Sequence, residues 1–322
     1  MKKIPWLLKA IIAGTAAFIV LNFFSFLYYN VPARQEVPDG ATDYKWPANA
    51  FHAMATEGFG YGNVNDDGYN NPEDLKDIDE INVLFMGSSH LEGFNLSPDR
   101  NAAAVLQKLT GKTVYNIGIS EHTLLRCLDN LDDALNKYDP TEYVIIETMT
   151  VSFYDEELQN ALNGEGRLPT YSGGVMDILQ TMKYLKLVYY QYNNLSRHSS
   201  SAEAGPLTNE GMLDQLLSSA EKTCEDHNVR LMIVFHPTLT VDDEGKITAN
   251  FNTEDAELME KVCTEKGIVF INMADSFIEH YLKESELPHG FSNTVPGSGH
   301  LNETGHYLIA QKVNEAMEAN RQ

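Results

Sequence analysis

The chain has 322 residues, 43% of them hydrophobic, with 23 basic against 46 acidic side chains and a formal net charge of −23. That much apolar sequence can bury the core of one large domain or two small ones, and it excludes a disordered tail. The acidic balance excludes nucleic acid as a partner. Three scattered cysteines, Cys127, Cys224 and Cys263, are too few for a disulfide framework or a thiolate metal site and read as small core residues.

The first element is an apolar run without a charge, "AIIAGTAAFIVLNFFSFLYY", Ala10 to Tyr29. At about 1.5 Å per residue it reaches roughly 30 Å, the depth of a bilayer core. A cleaved signal peptide would end in a small-residue cleavage site, whereas this run ends in bulky "FLYYN". An uncleaved anchor at 10–29 is therefore expected. Lys2, Lys3 and Lys9 precede it and put residues 1–9 in the cytoplasm, with the rest of the chain outside. From residue 35 onward, 19 basic face 46 acidic side chains, a formal charge of −27.

Residues 30–78 are rich in Pro, Gly, Asn and Asp and hold no sustained period, which reads as an extracytoplasmic stalk. Within it "NVNDDGYNNPED" has the spacing of a calcium loop, with Asn63, Asn65 and Asp67 before Gly68 and Asp74 at the twelfth position. Asn63 stands where such loops begin with Asp, and Asn70 stands where an apolar anchor belongs. Asx-rich turns are the favoured reading, with calcium as the alternative.

From residue 79 to 322 short apolar runs alternate with amphipathic stretches. "INVLFMG", "TVYNIG", "YVIIET", "RLMIVFH" and "IVFINM" read as strands. Helical patterns occupy 102–109, 123–138, 210–227, 253–266 and 303–319. This alternation predicts a three-layer α/β domain with about five parallel strands. Ligands bind beyond the carboxyl ends of such strands. An insertion at about 152–207 carries "MKYLKLVYYQYNNL", a lid or groove if functional and a core-packed stripe if not.

The first strand ends at Gly87, Ser88 and Ser89. A serine on a tight strand-to-helix turn has an exposed hydroxyl near backbone donors, as an acyl-transfer nucleophile requires. Near the C-terminus "PGSGHLNETGH" places His300 just before the last helix. "GSSHLEG" and "HLNETGH" together resemble the SGNH (GDSL-type) hydrolase family over roughly Asn82 to Met317, the insertion apart. The resemblance implies a flavodoxin-like fold and no cofactor. It makes Ser89 the nucleophile and an oxyanion donor, and His300 the general base. Gly118 in "YNIGIS" becomes the next oxyanion donor, with Asn116 holding its loop. His306 is expected to pack, and His90 and His236 carry no assigned role.

The chain departs from the family twice. Where the family has G-x-N-D after the third strand, this sequence reads "IIETMT", so Glu147 and Thr148 stand near the site without a presumed role. Where the family has its acid, three residues before the histidine, the chain has Gly297. His300 then works in a Ser-His dyad or is oriented by a distant group. Glu147 and a backbone carbonyl of "NTVPGSG" are the candidates, and the carbonyl is favoured because a carboxylate near the oxyanion would oppose catalysis.

Two functions follow. One is an acyl esterase or O-acyltransferase acting on a cell-surface glycan or other envelope polymer, similar to membrane-bound partners of envelope-polysaccharide acetylation and D-alanylation, with a membrane-bound acyl donor as partner. The other is a catalytically inactive SGNH-like protein that binds glycan or assists assembly at the membrane.

Overall fold

The computed structural model describes residues 5–32, 35–36, 44–164, 207–242 and 244–320. Residues 165–206, most of the expected insertion with its aromatic stripe, lie outside the described residues.

Helix α1, Trp6–Tyr28, opens behind Pro5, four residues earlier than the apolar run suggested, and takes in Lys9. Proline suits a helix start because its missing N–H would have no intrahelical acceptor there. The helix is long and apolar enough to cross a membrane. It leads straight into a small antiparallel sheet. Tyr29 and Asn30 pair with Met54 and Ala53 of β1, Phe51–Met54, and β1 pairs with β2, Gly60–Asn63. The Asn30 amide donates to Phe51 O at 2.7 Å, and Phe26 stacks on Phe51.

The segment expected to be a stalk is thus, from Tyr44 onward, packed structure. Trp46 and Val64 are buried in a cluster with Phe94 and Ile119. Its apolar residues are too widely spaced to show a period, and a hairpin plus Asx turns satisfy its backbone. The calcium-loop side chains are each engaged by protein partners. Asn65 Oδ1 accepts from the Asp67 and Tyr69 amides, Asp67 pairs with Lys45 and Lys137, Asp74 accepts from the Asp66 amide, and Asn63 donates to Asn49 O.

The main sheet has five parallel strands: β3 (Val83–Met86), β4 (Val114–Asn116), β5 (Tyr143–Thr148), β6 (Arg230–Phe235) and β9 (Val269–Asn272). Their spatial order is β9-β6-β5-β3-β4. Each of the five apolar runs became a strand, because burial on both faces requires unbroken hydrophobic sequence. Alternate residues serve opposite layers. Leu84, Met86, Val144, Ile146, Leu231 and Ile233 face one core, while Val83, Phe85, Tyr143, Ile145, Met232 and Val234 face the other.

On the first face lie α4 (Leu124–Asp129), α5 (Leu131–Tyr138), α6 (Asp155–Leu162), α7 (Glu210–Asp226) and α8 (Thr253–Glu265). On the second lie α3 (Ala102–Thr110), α9 (Ala274–Glu284) and α10 (Glu303–Ala319). The single helix expected over 123–138 breaks at Asn130, whose backbone leaves the helical region. A hairpin, β7 (Thr238–Val241) with β8 (Ile247–Asn250), and α9 were not foreseen. Chain order reverses around β3, so β3 and β5 border the crevice where such sheets bind ligands.

Candidate active site

Beyond β3 the chain turns at Gly87 into the short helix α2, Ser89–Glu92. A Cβ on Gly87 would meet the Glu147 carboxylate at 2.5 Å, so only glycine permits this approach. Ser88 caps the helix, its hydroxyl accepting from the His90 amide. Ser89 is the first helical residue. Its amide lacks an intrahelical acceptor by position and has no protein acceptor among the described residues.

Ser89 Oγ lies 2.9 Å from His300 Nε2, and His300 Nδ1 lies 2.7 Å from Glu57 Oε2. The second Glu57 oxygen accepts from the His300 backbone amide at 2.5 Å. One carboxylate therefore fixes both the ring and the main chain of the same histidine. With its Nδ1 proton held by Glu57, His300 presents an Nε2 lone pair to the serine hydroxyl. The His300 side chain keeps 32% of its surface exposed, so the base is not sealed in the core.

Glu57 is the residue that sequence reasoning missed, and neither Glu147 nor a carbonyl of "NTVPGSG" orients His300. Glu57 sits on the loop between β1 and β2, and that loop is tightly held. Asn95 Nδ2 donates to Glu57 O at 2.9 Å, and Asn293 Oδ1 accepts from the Gly58 amide at 2.9 Å. Gly299 has φ +90, and a Cβ there would meet Glu57 Oε1 at 2.1 Å. The glycine before the base is what lets the acid reach it. Gly297, where an acid was sought, has φ +78 and packs against Leu239 O.

Gly118 and Asn116 are together, but in a different relation from the one expected. The Gly118 amide donates to Asn116 Oδ1 at 2.7 Å, so the expected oxyanion donor already serves an Asx turn. Asn116 Nδ2 donates to Leu91 O at 3.0 Å, which ties the loop to α2. A Cβ on Gly118 would meet the Glu92 amide at 2.8 Å, so glycine is required there for packing. Thr148 closes its own turn, its hydroxyl donating to Thr150 O.

Glu147 lies beneath the nucleophile turn, 1% exposed. It accepts from the Ser88 amide at 2.7 Å, the Ser88 hydroxyl at 3.0 Å and His236 Nε2 at 2.5 Å. Burial alone would push its carboxyl up, but the His236 and Ser88 hydrogen bonds outweigh it and hold the group below the usual range. His236 in turn faces His289, Nδ1 to Nε2, at 3.3 Å. His90 Nδ1 accepts from the Leu301 amide at 3.1 Å, anchoring the loop one residue beyond the base. Burial drives His289 down to about 2 and His90 well below the ordinary histidine value, so these rings are neutral. His306 packs in the core, its Nδ1 capping the start of α3 through the Ala102 amide.

Neither a protein-family model nor a curated protein sequence matches the chain. Solved structures similar to it include an acetyl xylan esterase (13% identity, TM-score 0.41, 73% of this chain and 98% of that one). A psychrotrophic esterase from Pseudoalteromonas sp., inhibited by monoethylphosphonate, shares 15% identity at a TM-score of 0.38, over 74% of this chain and 97% of that one. A GDSL-like lipase from Bacteroides thetaiotaomicron shares 13% at 0.38, over 74% and 88%. These likenesses are loose.

Proposed function

We propose that the chain is a serine-dependent acyl esterase of the SGNH (GDSL) type. The observation that carries the reading is the line Ser89 Oγ, His300 Nε2, His300 Nδ1, Glu57 Oε2, with steps of 2.9 and 2.7 Å. Ser89 Oγ attacks the ester carbonyl while His300 Nε2 takes its proton, and Glu57 stabilises the imidazolium so formed. The Ser89 amide donates to the oxyanion. Collapse of the tetrahedral species returns the proton from His300 to the leaving alcohol and leaves an acyl group on Ser89. Water, or another hydroxyl, then attacks that ester with His300 again as base.

The finer reading is that the acyl group moves to or from a cell-surface glycan or envelope polymer, with a membrane-bound acyl donor as partner in the transfer case. It is supported by α1, which would hold the domain at a membrane surface, and by its direct strand connection to the loop carrying Glu57. Lys2, Lys3 and Lys9, at the N-terminal side of the apolar run, favour an outward-facing domain with the N-terminus in the cytoplasm.

One observation favours the binding-protein alternative. The Gly118 amide is committed to Asn116, and the loop directly after β5, residues 149–154, holds no asparagine to complete an oxyanion hole. Each such donor is typically worth about 10²–10³ in rate. Hydrolysis of an aryl acetate by the full chain decides between the readings. The esterase reading expects turnover that falls by about 10³ or more in Ser89→Ala. Equal rates in the two proteins, with glycan binding intact in both, would hand the site to the binding reading.

A further inference from the structure

Behind the nucleophile turn three buried imidazoles converge without a role in the Ser89, His300, Glu57 line. One nitrogen from each of His90, His236 and His289 lies within 4.8 Å of the other two. We propose that these three histidines form a site for a zinc-class divalent cation, and that loading it loosens the loop carrying His300.

The donor chemistry suits such an ion. His236 directs Nε2 to the Glu147 carboxylate at 2.5 Å, so its Nδ1 bears the lone pair. A carboxylate behind a histidine in this way fixes the tautomer and raises the basicity of the ligating nitrogen, as in carboxylate–histidine–zinc sets. That lone pair meets His289 Nε2 at 3.3 Å. Two nitrogens on a tetrahedral zinc, each at about 2.0–2.1 Å, are separated by about 3.3 Å. The other nitrogen of His289, Nδ1, is buried without a partner, so only the Nε2 contact with His236 holds the ring's tautomer, and a cation taking the His236 lone pair releases it. The ring can move its proton to Nδ1 and offer Nε2 to a cation. All three donors are nitrogen, which suits zinc, copper or nickel over calcium or magnesium.

His90 supplies the coupling. Its Nδ1 now accepts from the Leu301 amide at 3.1 Å, and a neutral ring that does so keeps its proton on Nε2. If Nδ1 binds the cation, its lone pair is no longer available to Leu301. If Nε2 binds, the proton must move to Nδ1, which then cannot accept. Either way the Leu301 bond is lost. Leu301 follows the base directly, and the His90 and His300 rings are 4.8 Å apart. The cation is thus expected to slow the esterase by disturbing the base loop. Glu147 stays on His236 and Ser88 throughout.

The test uses the full chain in detergent, without a histidine tag and stripped by chelator. Cobalt(II) is added as an optical stand-in for zinc. One equivalent should bind and give the intense visible absorption of four-coordinate cobalt, and added zinc should displace it. His289→Ala and, as a milder change, His289→Gln should both lose the band while still reacting with a fluorophosphonate. Ser89→Ala should keep the band, so the metal site stands or falls separately from the esterase reading. If the wild type gives only the weak absorption of six-coordinate cobalt, or if both His289 variants bind as the wild type does, the ion is held elsewhere and the proposal is overturned. Zinc should also lower wild-type aryl acetate turnover at least several-fold and leave His289→Gln unaffected, and inhibition equal in the two would overturn the coupling.

Discussion

Glu57→Gln should nearly abolish turnover while leaving the fold intact. Glu57 uses both oxygens on one histidine, Oε1 on the His300 amide at 2.5 Å and Oε2 on Nδ1 at 2.7 Å. A glutamine has only one oxygen to divide between those two donors. If the oxygen faces Nδ1, its NH₂ group opposes the His300 amide, donor against donor. If the NH₂ faces Nδ1, the ring must carry its proton on Nε2, and no lone pair remains for Ser89. Both arrangements fail. Replacing an orienting carboxylate by its amide costs about 10⁴ in kcat in serine hydrolases, or roughly 5.5 kcal/mol of transition-state stabilisation. The assay is aryl acetate hydrolysis by the full chain, with thermal unfolding measured in parallel. The loss should fall on kcat and leave KM within a few-fold. A Glu57→Gln enzyme retaining a third or more of wild-type kcat would show that His300 does not depend on this carboxylate.

Gly299→Ala should reproduce much of that loss, about 10²-fold or more, because its Cβ would meet Glu57 Oε1 at 2.1 Å in a backbone with φ +90; wild-type kinetics would contradict the close approach. Glu147→Gln should act mainly on stability, costing about 1–3 kcal/mol in urea unfolding, because one amide oxygen replaces two carboxylate oxygens that accept from Ser88 and His236, and an unchanged midpoint would refute its role under the turn. Burial holds His52 at about 4 and His306 at about 3. Such lowered histidines leave stability untouched above the unfolded value near 6.5 and remove it as pH falls below, since only the unfolded state takes the proton there. Each should cost on the order of 2–3 kcal/mol by pH 4.5, and His52→Phe, which keeps the stack on Phe94, should flatten that acid slope. A chain beginning at Gln35 loses the Tyr29–Asn30 strand beside β1, and its kcat should drop between a few-fold and about 10²-fold; unchanged activity would mean the Glu57 loop needs no help from the helix end.

The sheet was legible because its signal is local. Strands such as "YVIIET" are buried on both faces, and nothing but unbroken apolar sequence serves there. Ser89 and His300 were legible because each sits at the seam between a strand or loop and a helix, where residue type and spacing are constrained together. Glu57 was not. It lies 243 positions from His300, in a segment whose hydrophobic residues follow no period, and one glutamate among 46 acidic side chains carries no mark of its partner. Its signal lay elsewhere, in the glycines. Gly58 and Gly299 both adopt positive φ so that the two loops can meet, yet from sequence they read as ordinary turn residues. The Gly118 expectation met a similar limit, because a motif supplies the glycine but cannot say what its amide bonds to.

The most direct measurement is the site of reaction with a fluorophosphonate, mapped by peptide mass spectrometry on the folded full-length chain. The account predicts a single adduct on Ser89, absent from Ser89→Ala, strongly slowed in Glu57→Gln and retained in Ser88→Ala, whose hydroxyl points to Glu147. An adduct on Ser88 or another residue, or undiminished labelling in Ser89→Ala, would contradict it.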